Sequence, residues 1–566
     1  MRRFLWIVPL AALACGRTSF YPWAGGDGAE EFVDTESEVG ATTGEPQVTS
    51  GLPDSDADSG STTDGTDGTD STGEPSCAGS PGECSVQLHL RRAVDILFVI
   101  DNSGSMGAEQ GTLAQSFGAF IDVLEAQEVG ANYRIGVTTS AGDGVLRATS
   151  CRSRLHEFIF ESQLGTINEQ QTGCLNNCAI DVIELADPWV EKGDGGTNVP
   201  AGLTMAQVLQ CIGPQGINGP GFERPLESMH AALLDSTSDF LRDDALLAVV
   251  FVTDEADCSM DPATENWLVT QGQVFWTDPE RPTSAVCWTA GVACSGGPGV
   301  YDDCVAQDKG MDGFATDDPD AAILFTMQRY LDTMSVVAEQ KQLSGGQSEV
   351  LVALLAGVPL DYPQTGVVVY EDSPLAGFDV EFGIGPGCGQ GTETLGSPPG
   401  IPPVRLKEFA EAFQTDGPNI FSICSDNYGV ALADIAAKLG ELDERACVGG
   451  CVADLDPGAS GLEPDCILGE QLPDGSPGLA VPPCLVGQDF WDFPSPQQHV
   501  CYRPLTDPDG QASVSPFDDM SAQCVTLGSN LEYVIERRDG VPVEAGTSVE
   551  VSCTLLAPVG TACDEI

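Results

Sequence analysis

The chain has 566 residues, with 86 Asp and Glu against 23 Lys and Arg, for a formal net charge of −63. Such an excess of acid excludes a phosphate-backbone binder, because nucleic-acid affinity rests on cationic side chains that displace counterions, so no nucleic acid is expected as a partner. A hydrophobic fraction of 42% allows a large buried core and excludes global disorder, and the length corresponds to roughly two to four domains.

At the N-terminus, Arg2 and Arg3 precede an apolar run from Phe4 to Ala14 that is too short to span a bilayer and ends in small residues. Residues 1–15 therefore read as an export signal. The end, Ala12-Leu13-Ala14-Cys15, fits an ordinary signal-peptidase site and also resembles a bacterial lipobox. Assigning Cys15 to a lipid leaves 20 of the 21 cysteines free to pair completely in an oxidising compartment, which favours a lipoprotein over a secreted protein with a spare thiol. No later segment is apolar for long enough to form a membrane helix, so membrane attachment is expected only through the lipid on Cys15.

Residues 16–84 read as a disordered acidic linker rich in Ser, Thr and Gly. From Gly26 to Ser76 there are 14 acidic residues and no Lys or Arg, and self-repulsion extends such a tether. The run Asp54-Ser-Asp56-Ala-Asp58 lacks the Gly at the sixth and the Glu at the twelfth position of a calcium loop. Without these 14 charges the remainder still carries −63 + 14 = −49.

Residues 85–445 carry an α/β pattern. Val94–Ile100 is a buried-strand signal, followed by a helix over Thr112–Ala126 with Leu113, Phe117, Phe120, Ile121 and Leu124 on one face. Further strands are predicted at Tyr133–Thr139, Leu246–Thr253, Val350–Ala356 and Ile420–Ser425. Helices are predicted near Pro200–Cys211, Pro225–Leu234, Ala322–Gln340, Val404–Phe413 and Val430–Leu439. This alternation predicts an open, doubly wound, mostly parallel sheet covered on both faces. Gly, Pro and Cys-rich stretches at 141–199, 258–320 and 358–403 read as surface insertions anchored by cysteines such as Cys258, Cys287, Cys294 and Cys304. Residues 446–566 hold eight cysteines and strand signals at Asn530–Arg537 and Ser548–Leu555 joined across a turn, as in a small disulfide-stapled β domain. Cys447 with Cys451, or Cys174 with Cys178, has the spacing of a metal knuckle, but an exported chain without matched knuckle pairs favours disulfides.

The first strand runs directly into Asp101-Asn-Ser103-Gly-Ser105-Met. A carboxylate and two hydroxyls at alternate positions, in a turn at the carboxyl end of a parallel strand, can converge on one cation of the Mg²⁺ or Mn²⁺ type. At these residues the chain resembles the von Willebrand factor A family, whose metal-ion-dependent adhesion site carries Asp-x-Ser-x-Ser on its first strand-helix loop. The resemblance extends over about 350 residues, from Val94 to Leu439, and its closing segment from Phe421 to Leu432 looks like the terminal strand and helix of exported bacterial members. It implies two further ligand loops. One is the end of the apolar strand Leu246–Thr253 at Asp254, where the family's Asp-Gly is Asp254-Glu255 and Asp257 adds a carboxylate nearby. The other carries a Thr in the family. Gly195-Gly-Thr197-Asn198 has the local pattern, but Glu223, before the helix that precedes the Asp254 strand, holds the topological position. Glu223 in place of Thr197 would raise the site's affinity for a cation and shift its preference toward Mn²⁺ or Ca²⁺.

The resemblance implies a cell-envelope adhesion or protein-binding module on the outer membrane or cell surface, not an enzyme. Its cofactor would be Mg²⁺, Mn²⁺ or Ca²⁺, held by Asp101, Ser103, Ser105, Asp254 and Glu223 or Thr197, and its partner a protein presenting an acidic residue. Two rivals remain at this point. A structural surface scaffold with a vestigial metal site is one. The other is a metal-dependent hydrolase, which is disfavoured because no Lys or Arg stands in these motifs to hold a phosphate. The four His are scattered and form no His-x-x-x-His pair, and Gly-x-Ser-x-Gly is absent.

Overall fold

The computed structural model describes residues 76–77, 84–90 and 93–556, with breaks at 127–131, 163–164, 194–195, 243–244, 279–281, 341–349, 375–376, 390–398, 414–416, 444, 449–450, 456–461, 473–475, 487–490, 507–519, 521–523, 525–528 and 539–547. Cys15 and most of the acidic linker lie outside these residues. We number the strands of the central sheet β1 (Ala93–Ile100), β2 (Asn132–Thr139), β3 (Trp189–Gly193), β4 (Gly196–Thr197), β5 (Ala245–Val252), β6 (Val350–Ala356) and β7 (Ile420–Ser422). Their order across the sheet is β7-β6-β5-β1-β2-β3-β4. The five strands from β7 to β2 run parallel, β3 runs antiparallel to β2, and β4 runs antiparallel to β3. The molecule is therefore mixed α/β with a largely parallel central sheet.

The two middle strands, β1 and β5, are buried along their whole length, as continuous apolar runs require when both faces are covered. Alternate side chains feed two cores. Val94, Ile96, Phe98 and Ile100 meet Leu113, Phe117 and Phe120 of the helix Gly107–Leu124, with Val208, Leu432 and Ile435 in the same core. Leu97 and Val99 join the opposite core with Leu226 and Met229 of the helix Pro225–Leu233, and with Tyr330 and Phe409. The one charge inside β1, Asp95, accepts from Arg242 Nε at 2.8 Å, so the strand buries it as an ion pair.

Three elements differ from the sequence reading. The stretch 141–199 is not wholly an insertion, because it ends in β3 and the edge strand β4, the former concealed by Glu191, Lys192 and Gly193 after only two apolar residues. The strand Cys84–Leu90 does not begin the α/β domain; it pairs along Ser548–Leu555 in a five-stranded antiparallel sheet with Ser76–Cys77, Cys466–Gln471 and Pro477–Ala480. Glu532–Arg537 and Ser548–Leu555 form no hairpin. The former lies in a three-stranded sheet with Arg445–Cys447 and Val500–Leu505, while the latter pairs with strands on both sides in the five-stranded one. The β-rich C-terminal region encloses its own core of Val448, Leu468, Leu531, Tyr533, Val549 and Val551.

Disulfides anchor the loop-rich regions. Cys151–Cys174 and Cys178–Cys211 fasten the first insertion and tie it to the helix Met205–Ile212. Cys258–Cys287 and Cys294–Cys304 hold the second, Cys388–Cys424 ties the third to the segment after β7, and Cys466–Cys553 and Cys484–Cys501 staple the β-rich region. Cys174 and Cys178 are thus half-cystines and not a metal knuckle, and such a density of bridges belongs to an oxidising compartment. Among the described residues no helix is long and apolar enough to cross a membrane.

Candidate functional site

The loops after β1 and β5 meet because these strands are neighbours in register, and Asp101 continues the ladder by donating its N–H to Val252 O at 2.9 Å. Asp101 is fully buried. Its Oδ1 accepts the Ser103 N–H at 2.7 Å, closing the turn, and its Oδ2 accepts the Thr253 hydroxyl at 2.5 Å. The Ser103 and Ser105 hydroxyls stand 2.9 Å apart, and Ser105 donates to Asp254 Oδ1 at 3.2 Å. Asp101, Ser103, Ser105 and Asp254 therefore converge, joined across 149 residues of chain.

A third loop brings Glu223 near enough to feel the charges of Asp101, Glu255 and Asp254. Glu223 is fully buried; the Ser140 hydroxyl donates to its Oε2, and its Oε1 has no hydrogen-bond partner. The backbone around it is clamped, with Cys258 N donating to Glu223 O at 2.8 Å and Arg224 N donating to Ser140 O at 2.7 Å. Thr197 is elsewhere. It sits exposed on the edge strand β4, where its hydroxyl donates to Glu191 O at 2.8 Å, because Gly196 and Thr197 pair antiparallel with β3. Of the two third-loop candidates, the structure groups Glu223 and not Thr197 with the other site residues.

Asp257 also departs from expectation. Its carboxylate accepts from Arg405 Nε at 2.9 Å and from the Ser259 hydroxyl at 2.6 Å, so its charge is spent on a buried ion pair and adds nothing to the cluster.

Sequence reasoning missed two positioning residues. Thr253 adjoins Asp254 and orients Asp101. Gln110, fully buried, uses its whole carboxamide: Nε2 donates to Asp101 O at 2.9 Å and to Gly216 O at 2.7 Å, while Oε1 accepts from Gln215 N at 2.7 Å and Gly216 N at 3.1 Å. The same loop approaches so closely that a Cβ on Gly219 would stand 2.5 Å from Asn102 Oδ1. A polar residue on a helix start gives no sign of partners more than 100 residues away. Gln110→Leu should orphan two buried amides and a carbonyl pair, destabilising the fold by about 2–4 kcal/mol in urea unfolding; a change under about 0.5 kcal/mol would show that the loop does not depend on Gln110.

The electrostatics are those of crowded anions. Burial raises the Asp101 carboxyl, opposed by the hydrogen bonds from Thr253 and Ser103. Burial, then repulsion from Asp101 and Glu255, holds Glu223 well above the carboxylate range; burial, then Asp101, Glu109 and Glu255, does the same to Asp254. Glu255 is pushed up to about 8 by burial, with Asp101 and Glu381 adding repulsion, and the half-buried Glu109 to about 8, again chiefly by burial. Among the described residues no ion pair joins Asp101, Glu223, Asp254 or Glu255 to a Lys, Arg or His; Arg224 turns instead to Glu265. Oxygen donors only, excess negative charge and one unpartnered carboxylate oxygen fit a hard divalent cation. Among the described residues the one trio of Cys, His or acidic side chains with ligand atoms all within 4.8 Å is Cys151, Cys174 and Cys178, which are disulfide-bonded.

Comparison with protein-family models and with curated proteins gives no match. Among solved structures, the open conformation of the pilus adhesin SpaC from Lactobacillus rhamnosus GG is similar over 85% of this chain, at 11% identity and a TM-score of 0.27. The chain spans 41% of that protein's length.

Proposed function

We propose that this protein is an exported binding module of the von Willebrand factor A type, anchored through a lipid on Cys15, that uses a divalent cation to engage an acidic group of a protein partner. The observation that carries this reading is the convergence of Asp101, Ser103 and Ser105 with Asp254 and Glu223 at the carboxyl ends of adjacent parallel strands. The sheet order, with its first strand at the centre and one reversed strand next to the edge, supports the same family. Ser103 and Ser105 present neutral hydroxyl oxygens, Asp101 and Asp254 carboxylates, and Glu223 the third-loop oxygen. A bound Mg²⁺, Mn²⁺ or Ca²⁺ would supply positive charge and an open coordination position for the partner's carboxylate. Thr253 and Gln110 hold the Asp101 turn in place. The absence of a cationic side chain ion-paired within the described cluster favours binding over phosphate-ester hydrolysis.

Calorimetric titration of Mg²⁺ and Mn²⁺ into the oxidised protein tests the reading. Saturable binding should vanish in an Asp101→Ala, Ser103→Ala double variant that retains the fold. Failure of the unaltered protein to bind either ion, or Ca²⁺, would leave the vestigial-site scaffold as the better account.

A further inference from the structure

We propose, resting on the cation site above, that oxidation of the first insertion switches that site on: the bridges Cys151–Cys174 and Cys178–Cys211 lock the Asp101 turn into its binding shape. The segment closed by Cys151 and Cys174 lies directly on the turn and on the helix that follows it. The Phe160 ring comes within 3.3 Å of where a Cβ on Gly104, between Ser103 and Ser105, would stand, and Glu169 fills the space beside Gly107. Asn177, between the two bridges, donates from Nδ2 to Gly111 O at 3.0 Å. The same segment grips the loop that supports Asp101 through Gln110. Glu157 O accepts the Ile217 N–H at 2.7 Å, and Arg154 Nη2 donates to Pro214 O at 2.9 Å. That loop reaches the turn again at Gly219, whose N–H donates to Asn102 O at 2.8 Å.

The bridges close both ends of this grip. Cys151–Cys174 encloses Arg154, Glu157, Phe160 and Glu169, and Cys178–Cys211 fixes the end of the helix Met205–Ile212, from which the supporting loop starts. The Sγ atoms of Cys151, Cys174 and Cys178 lie within 4.8 Å of one another, so the two bridges form one buried knot. Between Cys151 and Cys174 the described backbone offers only a short 3₁₀ stretch, the hairpin Ile159–Ser162 with Gly165–Asn168, and one π turn, elements too short to hold their shape alone. A dithiol reductant would cleave each S–S bond by delivering two electrons and two protons, leaving two protein thiols and a cyclic disulfide of the reductant. The freed segment then samples other shapes, and the apparent affinity for the cation falls in proportion to the fraction of molecules that keep the turn closed. For an exported chain the site is thus assembled only once the reducing cytoplasm has been left behind.

The test is calorimetric titration of MnCl₂ and CaCl₂ into the oxidised full-length protein and its variants, each checked for fold by circular dichroism. Cys151→Ser with Cys174→Ser should weaken binding about tenfold or more, whereas Cys484→Ser with Cys501→Ser, which opens a bridge in the β-rich region, should change it by less than about twofold. Arg154→Gln keeps every bridge but loosens the supporting loop, and should weaken binding about threefold or more. Unchanged affinity in the folded Cys151, Cys174 variant overturns the lock, and so does an equal loss in the Cys484, Cys501 variant. Where the Cys151, Cys174 variant does not fold, unchanged affinity in Arg154→Gln overturns it instead. Absence of binding by the unaltered protein, or binding that survives Asp101→Ala, overturns the cation site itself.

Discussion

In chelator, raising the pH from 5 to 9 should lower the unfolding temperature on the order of 10 °C, and a divalent cation should restore it. Glu255 is pushed from its ordinary 4.5 up to about 8, first by burial and then by Asp101 and Glu381, and Glu109 rises similarly. A raised folded-state pKa means that the folded state holds more protons than the unfolded chain. The stability is fully present below pH 4.5 and is lost as the pH rises through about 8. A cation reverses the sign, because it binds the ionised carboxylates of the folded state; at a hundred times its Kd it adds about 2.7 kcal/mol. Differential scanning calorimetry across this range, with chelator and with Ca²⁺ or Mg²⁺, reads both effects. Glu255→Gln should flatten the profile in chelator. Parallel profiles with and without cation would separate the carboxylate cluster from cation binding.

The central strands and the Asp101 turn were legible in the chain because each is encoded locally: an apolar run long enough to be buried on both faces, then alternating oxygen donors. Asp254 was legible for the same reason. Thr197 misled because Gly-Gly-Thr is a local pattern, and here Gly196 and Thr197 pair as an edge strand, whereas Glu223 is placed by topology, through the helix that leads into β5. Features set by distant partners were not legible. Gln110 meets a loop more than 100 residues on, Cys84–Leu90 finds its partner near the other end of the chain, and Asp257 is claimed by an Arg 148 residues away. A single carboxylate beside a metal motif carries no mark of which cation it will face.

That last case gives the largest single-residue effect on stability. Arg405 is 2% exposed, and its Nε meets Asp257 Oδ2 at 2.9 Å while its terminal nitrogen donates to Phe325 O at 2.7 Å. Its stem lies where Gly291 leaves space, since a Cβ there would come within 2.7 Å of Arg405 Cδ. Removing one partner of such a pair leaves a buried charge uncompensated, at a cost of about 3–5 kcal/mol, whereas replacing both can be nearly neutral. Arg405→Met should therefore destabilise the protein by that amount in urea unfolding, and Arg405→Met with Asp257→Asn should recover most of it. Asp257 sits three residues beyond Asp254 and also accepts from the Leu226 N–H at the start of the helix that follows Glu223, so it braces the loops that carry Asp254 and Glu223. Weakened cation binding in the single variant, regained in the double, is the expected accompaniment. If the double variant regains stability without regaining the cation, the charge of the pair, and not only its packing, sets the geometry of the loops.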